Sequence, residues 1–126
     1  MLKKPLLSFV GVLLGMLMLS STVAAQETRL EGALTAAGGG LQSGKAKYEQ
    51  RNDRTRLSVE VEDLALIGTF TVKVNGTVVG TILVLLGAGD LNLDTRDGDS
   101  APTLSAGAKV EVFASNGALV LSGTIN

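Results

Sequence analysis

Polar and apolar side chains alternate along much of the chain after residue 26. Leu57, Val59 and Val61 are interleaved with Ser58, Glu60 and Glu62, the period-two signature of a strand with one buried and one wet face. Phe70, Val72 and Val74 alternate in the same way with Thr69, Thr71 and Lys73. The third piece of this block, Thr77 to Leu86, begins β-branched and ends apolar on both faces, which predicts a central strand or one covered from both sides. Upstream, Gln26 to Ala37 predicts a strand with Leu30, Gly32 and Leu34 on one face, and Gly38-Gly39-Gly40 ends it because a run of glycines holds no regular element cheaply.

Gly44 to Arg51 predicts the next strand, turning at Asn52-Asp53 into the strand that begins near Arg56. A two-residue loop sets Tyr48 opposite Leu57 and Ala46 opposite Val59 on the inner face, with Glu49 opposite Arg56 and Lys45 opposite Glu60 outside. Apolar pairs and opposite charges therefore agree on one register, and each pair contributes about 0.2–1 kcal/mol. At Asn75-Gly76 a two-residue loop would mix the faces. A three-residue loop with Gly76 at positive φ is predicted instead, pairing Val72 with Val78 and Phe70 with Gly80. At Asn116-Gly117 a tight type I′ turn is predicted, pairing Val112 with Leu121 and Ala114 with Leu119. Leu91 and Leu93 alternate with Asp90, Asn92 and Asp94 as a short strand, and Thr95 to Gly107 is a long surface loop. The pattern predicts an all-β protein: an antiparallel β-sandwich (Ig-like) or small barrel of about eight strands, preceded by a signal-peptide helix.

That helix comes from the start of the chain. Lys3 and Lys4, an apolar run from Leu6 to Leu19, and small residues at Val23 and Ala25 form an export signal cleaved after Ala25. The run is shorter than the roughly 20 residues of a spanning helix. Residues 1–25 are thus expected to be a signal peptide and 26–126 a single β-domain with no membrane span. The destination is the periplasm or the medium, and the cysteine-free sequence fits a bacterial protein exported without disulfides.

Loss of Lys3 and Lys4 leaves nine basic residues against twelve acidic, a net charge of −3. That charge gives no general attraction for nucleic acid. After Ala25 there is no His, Cys, Trp or Met, and the aromatics are Tyr48, Phe70 and Phe113. The commonest general base, the thiolate nucleophile and the imidazole metal ligands are therefore missing, as are platforms for base stacking.

The stretch Asp90 to Asp99 is the strongest site candidate. Asp90, Asn92 and Asp94 stand at the first three ligand positions of an EF-hand loop, and Asp97 and Asp99 extend the set of hard oxygen donors suited to calcium. The pattern then departs: Thr95 stands where the loop needs Gly and Ala101 where it needs a bidentate Glu. Gly39 to Lys45 has phosphate-loop spacing, but Ala46 follows and the next segment is a strand, so no helix N-terminus is expected to hold a phosphate. Lys45, Lys47, Arg51, Arg54 and Arg56 suggest a basic face for a polyanion, against which the interleaved Glu49, Glu60 and Glu62 argue for charge pairing. Glu60, Glu62 and Asp63 suggest a carboxylate pair for glycoside hydrolysis, against which a domain of about 100 residues leaves little room for a cleft and no aromatic residue lies nearby to hold a sugar ring. Asn75-Gly76-Thr77 is a glycosylation sequon that the turn alone explains.

Ser43 to Tyr48, Leu57 to Leu64, Val72 to Gly80 and Gly89 to Thr95 carry strand and turn patterns that resemble a group of uncharacterised exported bacterial β-sandwich domain proteins. The resemblance spans roughly residues 43–126 and implies export and an all-β fold, with no catalytic residue. The sequence therefore points to a non-enzymatic structural or binding module of the bacterial envelope or secretome, acting through sheet surfaces or loops. Its expected partners are a protein, a cell-surface glycan or further copies of itself. The alternatives are a calcium-binding adhesion or stabilisation domain using residues 90–99, and a small carboxylate-dependent hydrolase.

Overall fold

A computed structural model describes residues 27–126. The expected leader, its helix and the cleavage point lie outside the described residues. Eight strands follow one another: β1 (Thr28–Ala36), β2 (Ser43–Arg51), β3 (Arg54–Glu62), β4 (Gly68–Val74), β5 (Thr77–Val84), β6 (Gly89–Asp94), β7 (Ala108–Phe113) and β8 (Leu119–Ile125). A single 3₁₀ turn, Thr95–Asp97, follows β6.

All eight belong to one sheet in the order β5-β4-β7-β8-β1-β2-β3-β6, with antiparallel pairing throughout. The two strands at the ends of that order are consecutive in sequence, and the short connection between them is closed by the Leu85–Ala88 bridge. The sheet therefore curls on itself into a nearly closed barrel. At the seam β5 and β6 lie so close that a Cβ on Gly89 would stand 2.5 Å from the Leu83 carbonyl oxygen, and one on Gly80 would stand 2.9 Å from Leu91 Cδ2. Glycine at those two positions lets the seam close.

The inward side chains make one core, running from Leu30 to Ile125 in sequence. Tyr48, Phe70, Leu34, Leu57, Ile82, Leu121 and Ile125 are its largest fully buried members. Charged residues such as Glu60 and Glu62 stand on the outer face, an arrangement opposite to that of a membrane-spanning barrel. No helix among the described residues is long and apolar enough to cross a membrane.

The register of the β2–β3 hairpin is as predicted: Tyr48 pairs with Leu57, Ala46 with Val59, Glu49 with Arg56 and Lys45 with Glu60. The two other predicted hairpin turns are exchanged. At Asn75-Gly76 the loop is two residues long, closed by Val74 opposite Thr77, with φ of 50° and 83°. The face-mixing that argued against this loop is removed by a bulge at Val79, after which Val72 meets Gly80 and Phe70 meets Ile82. At Asn116-Gly117 only Gly117 has positive φ, and the Ala114 N–H donates to the Ala118 carbonyl across a three-residue loop. Val112 does pair with Leu121, but Leu119 lies opposite Phe113 and not Ala114.

The second correction concerns residues 77–86. β5 is not central and is not covered on both faces: it ends the sheet order, and only Ile82 and Val84 of its apolar residues are buried. Val78, Leu83, Leu85 and Leu86 are exposed.

Candidate functional site

Because odd-numbered strands run one way and even-numbered strands the other, the four odd-to-even connections gather at one end of the barrel. The remaining connections, Asn52-Asp53, Asn75-Gly76 and residues 95–107, gather at the opposite end. The two ends have different chemistry.

The charged end holds the acidic stretch. Asp94 is buried, and its carboxylate accepts two hydrogen bonds from Arg54, with Nε to Oδ1 at 3.1 Å. The Arg96 N–H donates to the same carboxylate at 3.0 Å, and Arg56 Nε lies 3.6 Å away. Donation from Arg54, helped by the Arg96 N–H and the Arg56 charge, holds the Asp94 carboxyl at about 2, well below the ordinary carboxylate range. The Asp94 N–H donates to the Asp99 carboxylate at 3.0 Å, and the Asn92 amide donates to Asp90. Asp97 closes the 3₁₀ turn on the surface. Asn92, Asp94 and Asp97 line one open groove, while the carboxylates of Asp94, Asp90 and Asp99 each accept from a donor of the protein. Among the described residues no group of three or more acids is placed to hold a metal ion.

Gly39 to Lys45 runs through the β1–β2 loop into β2, and no helix follows it. Arg51 faces Glu27 and Glu49, while Arg54 and Arg56 reach Asp94, so the arginines of the basic face are met by carboxylates. The predicted Glu49–Arg56 pair is opposite in register, yet Glu49 turns to Arg29 and Arg51. Glu60 and Glu62 line one open groove together with Asp90, and Asp63 lies beside Glu62 on a second pocket at the apolar end. Asn75 accepts the Lys109 N–H at 2.9 Å, which ties the sequon turn to β7.

The opposite end is apolar. Of the eight exposed large hydrophobic residues among those described, five stand on its connections, Leu41, Leu66, Ile67, Leu85 and Leu86, and a sixth, Leu119, opens β8 at the same end. These connections carry no Lys or Arg. The β3–β4 loop crosses the tip of the β5–β6 hairpin, where the Leu64 N–H donates to the Gly87 carbonyl at 3.0 Å. Leu64 turns inward and closes this end of the core. Beside it lies an open pocket of about 760 Å³ lined by the apolar Leu41, Leu64, Leu86 and Ala88 and by the acidic Glu62 and Asp63. Two of the three non-glycine residues with positive φ line it: Asp63 at 59° and Leu86 at 49°.

Sequence reasoning missed this pocket, since its walls come from three separate connections. The signals present were leucines set within glycine-rich turns, Gly40-Leu41 and Leu85-Leu86-Gly87. No protein-family model matches the chain, and a search among curated proteins finds no match.

Proposed function

We propose that this protein is an exported, non-enzymatic binding module of the bacterial envelope or secretome that docks on a protein partner through the apolar end of its barrel. One observation carries the reading: six exposed aliphatic side chains gathered at a single end, five on its connections and Leu119 at the start of β8. Exposed apolar side chains concentrated in one region of a surface are an ordinary mark of an interaction site. The leader-like start of the chain and its likeness to exported bacterial β-domain proteins support the location. The absence of His and Cys after residue 25 supports a role without catalysis.

Cosedimentation of the processed chain, residues 26–126, with an envelope fraction tests this; every core residue lies within that segment. Binding is expected to disappear after protease treatment of the fraction. It is also expected to disappear in a Leu41→Ser/Ile67→Ser/Leu86→Ser variant whose melting temperature is maintained. Binding that survives the triple substitution, or no binding by the parent chain, refutes the reading.

A further inference from the structure

We infer that the pocket lined by Leu41 and Leu86 receives a polypeptide segment in which apolar side chains are flanked by lysine or arginine. The inference rests on the docking function proposed above and names the partner's chemistry.

The apolar half of the argument comes from Leu86. It has a φ of 49° and stands fully in solvent at 101% exposure. The left-handed region is a glycine or asparagine conformation that costs a branched side chain, and an unburied leucine gains nothing from packing in return. Leu41, which also lines the pocket, is 91% exposed. Two exposed aliphatic side chains thus line a pocket that Leu64 and Ala88 also line. A strained residue at such a position is a mark of binding surfaces.

The basic half comes from the acids. Glu62 and Asp63 line the pocket, and the four connections around it contain no basic residue. An apolar segment seated there brings its neighbours against two carboxylates, so cationic neighbours are favoured and anionic ones opposed. A second copy of this chain would present the same two acids to its twin. An anionic lipid surface is disfavoured on the same ground.

The probe is a blocked hexapeptide of alternating lysine and leucine, titrated into the processed chain while amide resonances are followed. Control peptides carry glutamate for lysine, or serine for leucine, and a separate titration uses phosphatidylcholine vesicles. Saturable shifts confined to residues 41, 62–65 and 86–88 are expected with the lysine–leucine peptide alone. Leu86→Ser should weaken binding at least about tenfold, the equivalent of one buried aliphatic side chain. Glu62→Gln/Asp63→Asn should weaken it several-fold and flatten its dependence on salt. Equal binding of the glutamate peptide, shifts centred elsewhere, or engagement of vesicles in place of peptide would overturn the inference. Each of those results can occur while protease-sensitive, Leu41- and Leu86-dependent envelope binding persists, so the two failures are distinguishable.

Discussion

The hydroxyl of Tyr48 accepts the backbone N–H of Leu104 at 3.1 Å, joining residues 56 positions apart inside the barrel. Tyr48 lies on β2, and Leu104 belongs to the long connection between β6 and β7. With its side chain buried in the core, Leu104 closes the charged end as Leu64 closes the apolar one. The tyrosine also donates to Gln50 at 3.3 Å, so its oxygen is both donor and acceptor.

Tyr48→Phe keeps the ring and leaves the Leu104 N–H buried without a partner. A stranded donor of this kind costs about 1–3 kcal/mol, and each kcal/mol corresponds to roughly 4–8 °C in a domain of this size. A lower melting temperature and faster amide exchange across residues 98–106 are expected. Unchanged exchange in that connection would show that the bond does not anchor it.

Acid stability should report on Asp94. Its carboxyl titrates at about 2 in the folded chain, below the usual 3.8, chiefly because Arg54 donates to it. A lowered folded value means that the contribution is fully present above the unfolded value and fades as pH falls through the folded one. Between pH of about 4 and about 2 the parent chain should therefore lose melting temperature more steeply than Asp94→Asn does, since the amide has no proton to take up. Parallel curves for the two proteins across that window would remove Asp94 from the account.

Calcium should leave the melting temperature unchanged. Asp94 accepts from Arg54 and Arg96, Asp99 from the Asp94 N–H, and Asp90 from Asn92. A cation would have to displace these donors to assemble its oxygen shell. Coincident transitions in millimolar calcium and in EDTA are expected. A calcium-dependent rise abolished by Asp97→Ala or Asp99→Ala would restore the acidic stretch as a metal site.

The acidic stretch shows why fold was more legible than site. β2 and β3 could be put in register because four pairs, two apolar and two charged, agreed on a single alignment. The composition of residues 90–99 was equally visible. Its fate depended on Arg54, 40 positions away, which becomes a neighbour only when β3 and β6 pair. The exchanged turns have a similar cause: the bulge at Val79 repairs the alternation after a tight loop, and one extra residue in a strand leaves no mark in the sequence. Residues 77–86 depart from expectation for a different reason: apolarity does not by itself imply burial, and a segment that displays Leu83 and Leu85 to solvent has the same composition as one that hides them.

Leu86 makes that last distinction measurable. If its position served stability alone, the left-handed tip of the β5–β6 hairpin would carry glycine or asparagine, which occupy that region with little or no strain. Leu86→Asn should thus stabilise the fold by about 1 kcal/mol, the scale of the relieved backbone strain, seen as a rise of a few degrees in melting temperature. The same substitution should weaken docking, because it removes one of the two aliphatic side chains beside the pocket. A gain in stability together with a loss of binding is the pattern of a residue kept for its contacts with a partner. If Leu86→Asn lowers the melting temperature, the side chain has a structural role in the free protein and the case for it as an anchor fails.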